Sequence, residues 1–191
     1  MSSMRTMMTD VVHGAVAGMI GGAVAAWVMN EYIAAEQRRT LQFQQRRNRA
    51  RQQRAPEATE QAAQRQQQQS NAGGEDATVK TAQVISRRVF HHELTPDQRK
   101  IAGPAVHYGY GSLVGGLYGA LCELWSFPGA GFGMLYGMTL WLFGDEIAIP
   151  ALHLGKPPTQ VPAHSHADYL GAHLAYGITL DIVRRVARHI V

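Results

Sequence analysis

Apolar positions gather in four stretches of the chain, separated by polar ones. The first, Val11 to Ile33, reads VVHGAVAGMIGGAVAAWVMNEYI, 23 residues with one His and no formal charge before Glu31. As a helix it is long enough for roughly 30 Å of hydrocarbon. Gly14, Gly18 and Gly22 recur every four residues, so one stripe of that helix has no side chains. In water such glycines weaken a helix, whereas in lipid they let two helices approach closely. Trp27 and Tyr32 sit where an interfacial aromatic belt is expected. Two other readings compete. Arg5, an apolar run and Ala23-Val24-Ala25 resemble a signal peptide with its cleavage site, although Asp10, His13 and the glycines make a poor apolar core for one. A glycine-rich core helix of a soluble protein is the other, and the length of the run argues against it.

Ala105 to Trp125, the second stretch, is charged only at Glu123 and repeats the stripe at Gly111, Gly115 and Gly119. The third, Pro128 to Gly144, follows a Ser-Phe-Pro-Gly turn and carries Gly129, Gly133 and Gly137 in step. Three such stripes predict an antiparallel hairpin of the second and third helices packed on the first. They also exceed one contact per helix, which points to a homodimer or other membrane helices as partners. The fourth stretch, Ala167 to Val183, contains Asp168, His173 and Asp181, and its uncharged centre, Tyr169–Leu180, is short for a span. It crosses lipid only if neighbouring helices cover its polar groups. The fold class is therefore all-α, a multi-pass transmembrane helix bundle of four spans, with three spans plus an interfacial helix as the alternative.

Between the first two stretches lies a different polymer, which divides the chain into 1–33, 34–100 and 101–191. Residues 34–100 hold 13 Lys/Arg and 7 Asp/Glu, whereas the whole chain is only +4. Thirteen of the 15 Gln fall between Gln37 and Gln83, and no aromatic residue occurs between Phe43 and Phe90. Such a segment buries too little apolar surface to offset its ordering entropy. Its start, rich in Ala, Gln and Arg, is expected to continue the first helix into water as far as Ala55, before Pro56 ends it. Ala58 to Ala77 reads as disordered. Ala82, Ile85 and Val89 then mark one face of a short helix, Thr95-Pro96-Asp97-Gln98 has the form of a capped helix start, and Gly103-Pro104 reads as a break. The mean hydropathy of -0.18, unremarkable for a soluble protein, is thus an average over two regimes.

Charge adds a partner. Arg38, Arg39, Arg46 and Arg47 beside the first span, and Arg184 and Arg185 after the last, are placed to meet anionic lipid head groups. Specific nucleic-acid binding is not expected, because no aromatics are interleaved with the charges for base stacking. Arg5 and the C-terminal arginines favour both termini in the cytoplasm, while the arginines at 38–54 argue the opposite way.

Ionisable residues inside a membrane are functional candidates by default. The second and fourth stretches share His107-x-x-Tyr110-Gly111 and His173-x-x-Tyr176-Gly177, and the third ends in Asp145-Glu146. A bundle that gathers them makes a polar cluster able to pass protons or hold a small cation. The bland reading is that His and Tyr are interhelical glue. His164-x-His166-x-Asp168 has the ligand types of a divalent-metal site, and a membrane metalloenzyme built on it is a further alternative. No nucleophile elbow or phosphate-cradling loop occurs, and the single Cys, Cys122, excludes an intramolecular disulfide or a Cys-rich metal centre. Neither a cofactor nor classical enzymatic activity is expected.

The stretches His92-Glu93-Leu94-Thr95-Pro96, Ala102 to Tyr108, Gly116 to Gly119, Leu140 to Glu146, Pro150-Ala151-Leu152, Lys156-Pro157-Pro158 and His173-Leu174 through Asp181 to Arg185 together resemble YagU-like bacterial inner-membrane proteins. The likeness covers roughly half the chain, and the Gln/Arg-rich insert has no counterpart in it. It implies a multi-pass protein of the bacterial inner membrane with a loose link to acid tolerance, and supplies no catalytic residues.

Overall fold

The computed structural model describes residues 2–52, 77–89, 91–125, 127–129 and 131–190. The described residues are helical with connecting turns, and no strand occurs among them. Helix α1 runs Ser2–Gln52, α2 Ala77–Val89, α3 Pro96–Leu124, α4 Met134–Leu140 and α5 Ala163–Ala187. Between α4 and α5 the chain continues as a π-helix, Trp141–Ala148, and a last helical turn, Ile149–Ala151. One described helix, α1, is long and apolar enough by length and composition to cross a membrane.

The chain forms two compact units, Ala34–Glu75 and the remainder. In the first, α1 continues without interruption through Arg38, Arg39, Arg46 and Arg47, all exposed, and Arg39 pairs with Glu36 at 2.6 Å. The segment expected to be disordered lies outside the described residues except for Ala77, which opens α2.

The second unit is built on glycine. α1 and α3 run antiparallel with Gly14 against Gly119, Gly18 against Gly115, and Gly22 against Gly111. A Cβ at Gly18, Gly22 or Gly119 would collide with a backbone carbonyl of the opposite helix. The third stripe departs from expectation. Gly133 and Gly137 pack on the backbone of α5 at Gly177 and His173 rather than closing a hairpin on α3, because Gly177 supplies the opposing notch. Gly129 lies in the turn before α4, where its carbonyl accepts from Arg185 Nη2 at 3.2 Å. The stripes at Gly14, Gly18, Gly22, Gly111, Gly115, Gly119, Gly133 and Gly137 are therefore occupied within the chain.

Three tyrosines join the helices where glycine does not. Tyr118 donates to Asp181 Oδ1 at 3.0 Å, Tyr176 to the Gly111 carbonyl at 2.6 Å, and Tyr136 to the Val114 carbonyl at 2.7 Å. The buried apolar core is otherwise small: Ala17, Ala25, Ala26, Met29, Ala82, Ala172, Leu180 and Ala187. Large apolar side chains point outward from every helix of the bundle, among them Val12, Met19, Trp27, Leu113, Leu117, Phe143 and Ile182.

Two local expectations are corrected. α3 opens with the expected capping box, Thr95 Oγ1 accepting from Gln98 N at 3.3 Å and Gln98 Oε1 from Thr95 N at 2.8 Å. It then passes straight through Gly103-Pro104. Pro104 is exposed, and the bond it forgoes is to the carbonyl of exposed Lys100, which water can satisfy, while buried Gly103 admits Val79 of α2. The buried face of α2 is Ala82 and Ser86, with Ile85 and Val89 exposed; Ser86 donates to the His92 carbonyl at 2.8 Å and anchors the α2–α3 connection.

Replacing Gly18 by Leu is expected to force α1 and α3 apart at a cost of about 1–3 kcal/mol or more. Gly109, whose Cβ position meets nothing within 4 Å, should accept Ala with far less effect. Unfolding of both variants in mild detergent checks the contrast, and equal losses would contradict it.

Candidate functional site

The polar residues singled out from the sequence divide into two groups. His107, Tyr110, Asp145, His173 and Tyr176 line one cavity of about 260 Å³ between α1, α2, α3, the π-helix and α5. Glu146 does not reach it.

Local geometry explains the split. In a π-helix each N–H bonds five residues back, which widens the turn. Here Ile149 N–H reaches the Gly144 carbonyl, and Pro150, with no N–H, cannot make the α-type bond to the Glu146 carbonyl. Within this wide turn Asp145 faces the cavity and Glu146 faces the start of α5. Asp145 Oδ2 lies 3.6 Å from His173 Nδ1, while Glu146 Oε1 bonds His166 Nδ1 at 2.6 Å.

His173 is 9 % exposed. Its Nδ1 bonds the Tyr169 carbonyl at 3.0 Å, which fixes that nitrogen as the protonated one. The His107 Nε2 meets the Ala26 carbonyl of α1 at 3.4 Å by the same logic. Asp145, 27 % exposed on its side chain, accepts no hydrogen bond among the described residues and has the His173 imidazole as its close neighbour. The walls around this group are apolar: Ala26, Met29, Val114, Leu140, Ile149 and Leu154 contribute most of them. Chemically, an imidazole beside a carboxylate in an apolar cleft can bind and release a proton, or hold a cation.

The His164, His166 and Asp168 cluster is not assembled as a metal site. These residues lie in the first turns of α5, where positions two apart do not share a face. His164 is exposed, and His166 is bonded through Nδ1 to Glu146 and through Nε2 to the Pro158 carbonyl at 3.1 Å. Among the described residues no three His, Cys, Asp or Glu side chains gather to hold a metal ion. With acceptors at both ring nitrogens, the site favours the protonated ring of His166. Its pKa is raised above the ordinary value of 6.5, chiefly because Glu146 takes a hydrogen bond from it.

A third cluster was missed by sequence reasoning. Asp181, fully buried, accepts from Tyr118, from Arg184 Nη2 at 3.3 Å and from Arg185 Nε at 2.8 Å. Arg188 joins Glu123 of α3 at 3.0 Å and Asp10 of α1 at 3.0 Å, and Arg184 lies 3.7 Å from Glu123. Arg184, expected at the lipid surface, is therefore taken up inside the bundle, with its guanidinium 5.7 Å from the centre of the Tyr118 ring. Arg185 keeps an exposed side chain while pairing with Asp181. The signal was available: Asp181 precedes Arg184 and Arg185 by three and four positions, and Glu123 is the lone charge of its stretch.

No family model, curated protein or solved structure matches this chain. The likeness to YagU-like proteins thus rests on the quoted motifs alone, and the function has to be argued from the site.

Two outcomes follow from these contacts. Because the folded pKa of His166 lies above its unfolded value, its bond to Glu146 stabilises fully below about pH 6.5 and is lost as pH rises through the elevated folded value. The difference in melting temperature between the wild type and His166→Gln should accordingly be larger at pH 6 than at pH 9; a constant difference would contradict this assignment. Replacing Asp181 by Ala leaves two arginines without their shared partner and should cost about 3–5 kcal/mol, the scale for breaking a buried pair. Chemical unfolding measures that loss.

Proposed function

We propose that the chain is a multi-pass protein of the bacterial inner membrane whose cavity handles protons or a small cation through His107, Asp145 and His173. The observation that carries the reading is the convergence of these three residues, from three separate helical segments, on one cavity. Its membrane setting is supported by the outward-facing apolar side chains: soluble monomers rarely expose contiguous apolar patches beyond a few hundred Å². Inside, small residues, tyrosine hydroxyls and paired charges occupy the core, the pattern expected where lipid rather than water is the solvent.

The Asp10–Arg188 ion pair brings both chain ends to one end of the bundle. Arg5 and the arginines at 184, 185 and 188 support that end as cytoplasmic. On this reading the four apolar stretches, Val11 to Ile33, Ala105 to Trp125, Pro128 to Gly144 and Ala167 to Val183, are the four spans. A role in acid tolerance is what the resemblance to YagU-like proteins adds.

A second reading, a membrane-anchored scaffold, is favoured by one observation. Residues 34–52 extend α1 as a helix with exposed arginines and with Leu41 and Phe43 also exposed, a surface suited to anionic lipid or a protein partner.

Proteoliposomes containing a pH-sensitive dye test the first reading. The wild-type protein should dissipate an imposed pH gradient faster than protein-free vesicles do. Asp145→Asn and the double replacement His107→Gln/His173→Gln should fall to the protein-free rate, while deletion of residues 36–75 leaves the flux intact. Wild-type flux no greater than the protein-free leak would end the proposal.

A further inference from the structure

The cavity around Asp145 has a charge and a shape that define an occupant more closely than a proton. Among its lining residues Asp145 is the one acid, and none is Lys or Arg. Its carboxylate accepts no hydrogen bond among the described residues. His173 Nδ1, 3.6 Å away, gives its proton to the Tyr169 carbonyl at 3.0 Å. Of the other polar groups around it, His107 Nε2 is taken up by the Ala26 carbonyl, the Tyr176 hydroxyl by the Gly111 carbonyl and the Thr81 hydroxyl by the Ala77 carbonyl. What remains is a carboxylate with free acceptor capacity at the edge of an apolar space, flanked by the rings of Tyr110 and Tyr176. Aromatic faces attract cations, most strongly quaternary ammonium groups, where water is excluded.

We infer that the cavity binds a small hydrophobic organic cation, its charge against Asp145 and its apolar body against Met29, Val114, Leu140 and Ile149, in exchange for a proton. The inference rests on the proposed proton handling and names what the proton exchanges with. An anion has no counter-charge in the cavity, and an inorganic cation would leave the apolar walls unused. The volume of about 260 Å³ selects a small molecule. Tyr110 and Leu152 are both lining residues and more than half exposed, so the space communicates with the surface.

Exchange follows from electrostatics. The titratable groups around Asp145 are His173 and Tyr176 from α5, His107 and Tyr110 from α3, and its neighbour Glu146, which acts on it from outside the cavity while paired with His166. The lining residues of α1 and α2, namely Ala26, Met29, Ala77, Thr78 and Thr81, add none. A proton and a cation compete for the one carboxylate, Asp145, so the arriving cation displaces the proton from it. Affinity for a cation of fixed charge therefore rises with pH.

The test uses the full-length protein in lipid nanodiscs and benzyltrimethylammonium, whose charge does not titrate. Neopentylbenzene, its neutral carbon isostere, serves as the comparison. Equilibrium dialysis should find one saturable site per chain for the cation, tighter at about pH 8 than at about pH 5.5, either side of the imidazole range. Asp145→Asn should weaken the cation at least about tenfold, the scale of one contact to a charged group, and leave the neutral isostere unchanged. Ala148→Trp fills the cavity without touching the carboxylate and should abolish binding of both, and melting curves show that each variant is folded. Equal affinity for the cation and its isostere, or equal cation binding by wild type and Asp145→Asn, overturns the inference. Addition of the cation in weak buffer should also release a proton. Dye-reported proton flux that persists without any cation binding overturns the exchange and leaves the proton-handling reading standing. Absence of both flux and proton release removes that reading and the exchange with it.

Discussion

The close approach of α1 and α3 along Gly14, Gly18 and Gly22 is the constraint on which the rest of the bundle depends. Because no Cβ intervenes, carbonyls of one helix lie against the Cα atoms of the other. Two consequences follow. Bulky apolar side chains on these helices have no room inside and turn outward. Positions one turn beyond the glycine stripe are then brought into register across the interface, so that His107 of α3 reaches the Ala26 carbonyl of α1. The α4–α5 contact at Gly133, Gly137 and Gly177 repeats the arrangement and sets the backbone that carries His173.

A core built this way gains little from hydrophobic burial in the usual sense. Dispersion between close backbones and a small number of polar pairs must distinguish the correct packing from others. The tyrosines meet that need economically, each sending one hydroxyl to a partner on another helix. Their targets differ in kind. Tyr176 and Tyr136 bond backbone carbonyls, whereas Tyr118 bonds a buried carboxylate that two arginines also share. That carboxylate lies where α1, α3 and α5 meet, and the Arg188 bonds to Asp10 and Glu123 close the same end. Buried ion pairs give modest net stability because desolvation opposes the attraction, but they penalise any packing that separates the partners. The network therefore acts as a register device more than as a source of stability.

How much of this was legible in the sequence depended on whether the signal was local. Helical character, the capping box at Thr95 and the glycine spacing are properties of neighbouring residues, and the structure contains each of them. The gathering of His107, Asp145 and His173 was anticipated from residue type alone. Which helix each stripe meets was not legible, because a notch is neutral about its partner: Gly177 looked like part of a His-Tyr-Gly motif rather than the counterpart of Gly133. The metal reading finds no support among the described residues, because His164, His166 and Asp168 stand in the first turns of α5, where His166 turns away from the face that His164 and Asp168 share. The inward place of Arg184 was half legible: Asp181 stands three positions before it on the same helix, whereas Glu123 lies on α3, and only the fold brings that partner within reach.

The π-helix ties the two polar sites together mechanically. Asp145 and Glu146 are adjacent, yet one faces an apolar cavity and the other an imidazolium clamp at the start of α5. A regular α-helix would turn successive side chains about 100° apart on a tighter cylinder, with the bond from residue 150 holding the Glu146 carbonyl in place. Pro150 removes that bond, and the wider turn leaves Glu146 positioned chiefly by His166. The position of Asp145 in the cavity is then set from two sides, by α5 through His173 and by the connection before α5 through the Glu146–His166–Pro158 chain of bonds. Both histidines sit on α5, so one helix holds both carboxylates of the turn. This shared dependence, rather than any single residue, is what sets where the turn at Trp141–Ala148 directs its two acids.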